Sequence, residues 1–132
     1  MTETKKSVHE AIGEKVRPIL KRLNSVSSEI EASSVMSRDG ICLAAVMRDN
    51  VDQDRLGAMC ASLLSLGDKT SSELDRGKLK QVLIEGENGC ILIVQIGSRA
   101  VLAVVSKPSS KLGMVFNEAR KIAREIEQAK VL

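Results

Sequence analysis

The chain holds few residues able to do chemistry, and their spacing narrows what they can do. Cys42, Cys60 and Cys90 are its only thiols and His9 its only imidazole. A nucleophilic thiol needs a base or a cationic neighbour that favours the thiolate. These three cysteines lie far apart, each in an apolar run, and read instead as three buried, reduced core residues. Their odd number and the lack of a Cys-x-x-Cys pair fit a reducing compartment better than a disulfide framework. One His and dispersed Cys supply no zinc-ligand set at an established spacing. Gly67-Asp68-Lys69-Thr70 has a superficial likeness to a phosphate loop, but no second glycine precedes it, and it lies within a helical pattern rather than between a strand and a helix. Lys111-Leu112-Gly113-Met114 fails for similar reasons. Glu29, Glu31, Asp39, Asp52, Asp54 and Glu85 fall at turns, caps and exposed strand positions, where solvation is the ordinary role. His9 reads as the exposed second residue of a helix. No catalytic residue, metal site or cofactor is therefore expected.

Composition narrows the field further. A chain of 132 residues suits one domain that buries about two thirds of the surface its unfolded form exposes. There is no Trp or Tyr, and Phe116 is the only aromatic residue, so Val, Ile, Leu, Met and Ala must build the core. The net charge is +3, with cations scattered among acids. That argues against a nucleic-acid partner, which favours a clustered basic face and, for single strands, stacking aromatics. The N-terminal MTETKKSVHE is polar and has no signal core, and no apolar run approaches the ~20 residues of a membrane span. A cytoplasmic protein without membrane insertion is expected, with residues 1–6 a disordered tail and 7–130 a single domain.

The elements that must position any site follow from periodicity. Ser7 and Glu10 fit a capping box ahead of Val8, Ile12, Val16, Ile19, Leu20, Leu23 and Val26 at helical spacing. Pro18 leaves two forms for this helix: one helix bent or frayed before it, which we favour, or an ordered part beginning near Arg17. Glu29–Met36 and Ile41–Met47 are extended, joined by Ser37-Arg38-Asp39-Gly40 as a hairpin connection. A long helix follows from Val51 to Gly77, with Asp49, Asn50 and Asp52 as candidate N-caps and Gly77 as its stop. Lys80–Glu85, Cys90–Ile96 and Ala100–Val105 are strands separated by Glu87-Asn88-Gly89 and Gly97-Ser98-Arg99. The last two are apolar on both faces, so helices must cover both sides of the sheet. Pro108-Ser109-Ser110 opens a final helix with one apolar stripe: Leu112, Val115, Phe116, Ala119, Ile122, Ala123 and Ile126.

The expected fold is α+β in the order α-β-β-α-β-β-β-α. Its five-stranded antiparallel sheet carries the first and last helices on one face and the middle helix on the other. The middle helix has more apolar surface than one core needs. Leu56, Met59, Cys60, Leu63, Leu64 and Leu66 span roughly 160°, against the ~100° of an ordinary surface helix. One helix cannot cover five strands, and a second copy of the same layer is the simplest cover. Lys80–Glu85, if it is an edge, leaves backbone groups free to pair with another chain across a closed two-fold.

The element order, the Ser37-Arg38-Asp39-Gly40-Ile41-Cys42-Leu43-Ala44 hairpin, and Gly97-Ser98-Arg99-Ala100-Val101-Leu102-Ala103-Val104 leading into Lys111-Leu112-Gly113-Met114-Val115 resemble the Roadblock / dynein light chain family. The resemblance runs from about Val16 to Ile126. It implies a Roadblock/profilin-like fold and a non-catalytic dimer, with itself or with a related Roadblock chain, whose sheet continues across the two-fold. It also implies a Ras-like small GTPase as the partner that is regulated or scaffolded. On that basis Leu56, Met59, Leu63 and Leu66 of the middle helix, with Val82 and Ile84 of the edge strand, are the candidate dimer residues. Burial against their own sheet is an equal role for each taken singly. Asp54, Arg55, Ser62, Ser65 and Lys69 on the polar rim are the candidate GTPase-facing residues, with plain solvent exposure as the alternative. The competing reading is a Per-Arnt-Sim/profilin-like small-molecule sensor or adaptor, which should enclose a pocket with convergent polar groups. An enzyme would need one of the three thiols exposed and acidic.

Overall fold

The computed structural model describes residues 8–48, 50–108 and 111–132. The elements are α1 (Val8–Val26), β1 (Ile30–Ser37), β2 (Cys42–Val46), α2 (Gln53–Glu73), β3 (Gln81–Gly86), β4 (Gly89–Ile96), β5 (Ala100–Ser106) and α3 (Leu112–Gln128). This is the order expected from the sequence. The strands form one antiparallel five-stranded sheet in the order β2-β1-β5-β4-β3. The central place of β5, between β1 and β4, explains why its sequence is apolar on both faces: six of its seven residues are buried.

Alternation along the strands divides the core in two. Val35, Leu92, Val94, Leu102 and Val104 face Val16, Leu20 and Leu23 of α1 and Val115, Ala119, Ile122 and Ile126 of α3. Each such side chain, fully buried, contributes on the order of 1.5–3 kcal/mol relative to exposure. Arg22 pairs with Glu125 where α1 and α3 lie side by side. On the other face, Met36, Ile93, Val101 and Ala103 meet Cys60 and Leu64 of α2. Helices thus cover both faces, two on one and one on the other.

Several local expectations are refined. α1 is one helix running through Pro18. Pro18 lies on its exposed side, where a missing backbone donor costs less than it would in the core. Ser7, Asp49, Ser109 and Ser110, and the whole 1–6 tail, lie outside the described residues. Of the remaining N-cap candidates for α2, Asp52 takes the position, accepting from the backbone N–H groups of Asp54 at 3.1 Å and Arg55 at 3.2 Å. Gly77 does not stop α2. The helix ends at Glu73, and Asp75 takes the left-handed conformation (φ 55°). Arg76 N–H then bonds Ser71 O at 2.7 Å and Asp75 N–H bonds Ser72 O at 3.1 Å, which ties off the last carbonyls. In the β3–β4 hairpin the turn residues are Glu87 and Asn88, while Gly89 begins β4 with φ 136°. α3 begins at Leu112, after Lys111, rather than at Pro108.

Candidate functional site: helix α2 and the β3 edge

α2 carries two apolar flanks, side by side. The first is spent on its own sheet: Gly57, Cys60 and Leu64 are buried. The second leans toward β3. Leu56 and Leu63 are half-buried against the smaller core, together with Leu79 and Val82. Beyond them Met59 is 54% exposed and Leu66 64%. Leu74, just past the helix end, is also exposed. β3 has β4 on one side only. Val82 and Ile84 point to the α2 face and Leu83 to the other, by their register with Ile93, Ile91 and Leu92. Between α2 and β3 runs an open groove of about 420 Å³ whose walls include Leu63, Leu66, Leu74, Leu79 and Val82.

The six candidate dimer residues therefore divide. Leu56, Leu63 and Val82 pack partly on their own sheet, whereas Met59, Leu66 and Ile84 stand out from it. Asp54, Arg55, Ser62, Ser65 and Lys69 are all exposed on the outward half of α2. Ser62 turns its hydroxyl back to Ala58 O at 3.0 Å. Leu74 and Leu79 were not singled out from the sequence. Leu74 carried a signal, lying about three turns beyond Leu63 on the same side. Leu79 precedes a strand and carried none.

Two contacts that the sequence did not show join α2 to the β1–β2 turn. Its backbone at Gly57 lies directly on the β1–β2 turn: a Cβ at Gly57 would stand 1.8 Å from the Gly40 carbonyl oxygen. Gly40 itself has φ 91°, the conformation its side-chain-free backbone permits. Farther along, Arg38 donates from Nη2 to Asp68 Oδ2 at 3.2 Å and from Nη1 to Gln95 Oε1 at 2.7 Å.

The three thiols differ in exposure. Cys60 and Cys90 are buried, but Cys42 is only half-buried, a departure from the expected burial of all three. It begins β2, the other edge of the sheet, where one neighbouring strand is missing. Burial pushes the Cys42 thiol up despite nearby Arg17, and pushes the Cys60 thiol up as well. Cys42 thus has some of the exposure a nucleophile needs and the opposite of the acidity. Among the described residues no three His, Cys, Asp or Glu side chains gather to hold a metal ion, and no helix is long and apolar enough to cross a membrane.

A sheet helix-covered on both faces, with an apolar helix flank beside an open edge strand, defines the Roadblock/profilin-like class of α+β domain. The chain belongs to the Roadblock/LC7 domain family, whose sequence model matches residues 16–106. It is 30% identical over 109 residues to the protein MJ1340 of Methanocaldococcus jannaschii, covering 83% of this chain and 94% of that one. Its fold matches that of Myxococcus xanthus MglB with a TM-score of 0.80 at 18% identity, over 87% of this chain and 94% of MglB. It also matches a Roadblock/LC7 domain from Streptomyces avermitilis with a TM-score of 0.80 at 19% identity, over 88% and 98% of the two chains.

Proposed function

We propose that this protein is a non-catalytic, dimeric interaction module that binds and regulates or scaffolds a Ras-like small GTPase. The observation that carries the reading is the continuity of two unpartnered features: the exposed Met59–Leu66 flank of α2 and the β3 edge bearing Val82 and Ile84. A second copy, turned about a two-fold, satisfies both at once. Its β3 supplies backbone partners to this β3, and its α2 flank covers this one. Covering Met59, Leu66 and Ile84 contributes on the order of 1 kcal/mol each, since each is only part-exposed to begin with, and the two-fold doubles it. Leu56, Leu63 and Val82 form the floor of that contact and support the residues that cross it.

The paired α2 helices then form a platform whose outward rim bears Asp54, Arg55, Ser62, Ser65 and Lys69 from each copy. Family membership supports a GTPase as the protein met there. The sensor reading has less support, because the hollow beside α2 is open and apolar instead of enclosing convergent polar groups.

Light scattering after size exclusion, across a concentration series, tests the dimer: the expected mass is twice 14.3 kDa, persisting on dilution. A monomer at every concentration refutes self-pairing. Titration of the protein against a Ras-like small GTPase from the same organism, loaded with GDP or a GTP analogue, tests the partner. Saturable binding weakened by charge reversal at Arg55 and Lys69 supports this rim, and no binding in either nucleotide state refutes it.

A further inference from the structure

The placement of α2 depends on surprisingly little of its own surface. Of its 21 residues only Gly57, Cys60 and Leu64 are buried, yet its tilt and height decide where Met59 and Leu66 point. Both fixed points trace back to one turn, Ser37-Arg38-Asp39-Gly40. That turn is itself closed, with Gly40 N–H to Ser37 O at 2.9 Å, Ser37 N–H to Ile41 O at 2.9 Å and Ile41 N–H to Ser37 Oγ at 3.1 Å. At one point Gly40 lies against the backbone of Gly57. About three helical turns later, some 16 Å along the axis at ~1.5 Å per residue, Arg38 reaches Asp68. The same guanidinium bonds Gln95 on β4, and Gln95 Nε2 donates to Leu79 O at 2.7 Å. Leu79 lies in the segment entering β3. Arg38 is therefore the node where α2, the α2 face of the sheet and the approach to the open edge are joined.

We infer that the β1–β2 turn is the seat of the interaction platform and that Arg38 is its positioning residue. It holds the C-terminal half of α2 in register with β3, so that one partner surface can meet the helix flank and the strand edge together. The inferred effect on association rests on the dimer reading; the anchoring of α2 within one chain does not. Arg is suited to the task because its planar fork offers donors to Asp68 and Gln95 at the same time, which a Lys ammonium on a single stem does not reproduce. The Arg38–Asp68 side chains are 38% and 40% exposed. Such pairs add little to global stability, so positioning and folding can be separated by experiment.

The test is amide hydrogen exchange on the wild type, Arg38→Met, Arg38→Lys, Asp68→Ala and the Arg38→Met/Asp68→Ala double variant, alongside urea unfolding and the dimer dissociation constant. Arg38→Met is expected to speed exchange at least threefold in the second half of α2, while α3 changes less than twofold and the urea midpoint barely moves. Arg38→Lys recovers only part of the protection, and the double variant is no worse than Arg38→Met alone. The dimer dissociation constant rises at least fivefold. Unchanged exchange in α2, or equal acceleration of α2 and α3, overturns the inference. If the wild type is monomeric, the dimer reading fails by that measurement, and the exchange pattern alone decides the role of Arg38.

Discussion

Gly57→Ala should loosen α2 from its sheet, although alanine is the better helix former. A methyl at this position would stand 1.8 Å from the Gly40 carbonyl oxygen and 2.8 Å from its carbon, both backbone atoms of a closed turn. No side-chain rotation relieves that overlap, so α2 must retreat by roughly 1.5 Å. A gap of ~0.5–1 Å already forfeits a quarter to a half of the dispersion attraction. The contacts at risk are those of Cys60 and Leu64, the buried side chains that α2 contributes to the smaller core. Loosening them costs about 3 kcal/mol on the scale of one to two buried side chains. The helix-propensity gain of about 1 kcal/mol offsets part of this. The net expectation is ~2 kcal/mol of destabilisation, within the range for overpacked sites, or a Tm fall of roughly 6–10 °C for a domain of this size. Urea unfolding followed by far-ultraviolet circular dichroism reads it, with light scattering reporting the associated loss of the proposed dimer. A Gly57→Ala protein as stable as wild type would refute the reasoning, since it would mean that Gly40 and Gly57 do not share the close contact.

Gly113→Ala is the internal control. Gly113 lies in the first turn of α3, where a Cβ meets nothing within 4 Å, so the substitution should stabilise by about 0.5 kcal/mol; a loss of stability in urea unfolding would count against the placement of α3. Met59→Glu with Leu66→Glu should convert the proposed dimer to a folded monomer, seen as a halved mass with native circular dichroism, because both side chains are more than half exposed in one chain. A dimer of unchanged affinity would remove this flank from the interface. The raised Cys60 and Cys42 thiols bear on pH dependence. The fold favours the neutral thiol, so this contribution is complete below the unfolded thiol value of ~8.5 and is lost as pH rises above it toward the folded value. The urea midpoint should hold from neutral pH to about 8 and then fall, less steeply in Cys60→Ala; an identical slope in that variant would assign the fall to other groups. In native thiol labelling Cys42 should react before Cys60 and Cys90, following their exposure, and equal rates would contradict the edge position of β2.

Local order was legible because it is written in local periods. The stripe from Val115 to Ile126 repeats at helical spacing, and α3 buries that stripe. CILIVQI and AVLAVV are apolar on both faces, and helices cover both faces of their sheet. The breadth of the apolar arc on α2 also implied more apolar surface than one core takes up, and Met59 and Leu66 stand exposed. One expectation that slipped lies at the end of α2. Asp75 takes the left-handed place given to Gly77 because the phase of the last helical turn offers the Ser71 and Ser72 carbonyls there, and two well-placed hydrogen bonds outweigh the small penalty of an Asp at positive φ.

By itself the sequence determined the kinds and order of the elements, the two-sided core, the lack of a recognisable catalytic motif, and the surplus apolar surface on one helix. It could not say how that surplus is shared. Helical spacing placed Leu56 and Leu63 in the middle of the arc and Met59 and Leu66 at its edge, but not where along the arc burial ends: the first pair packs partly on the smaller core and the second stands clear. The division depends on the height and tilt of α2 over the sheet. Those are decided by backbone contact between Gly40 and Gly57 and by the bonds of Arg38 to Asp68 and Gln95. Each joins residues distant along the chain, so no local period carries it; only the folded sheet, with β5 between β1 and β4, brings the β1–β2 turn beneath α2.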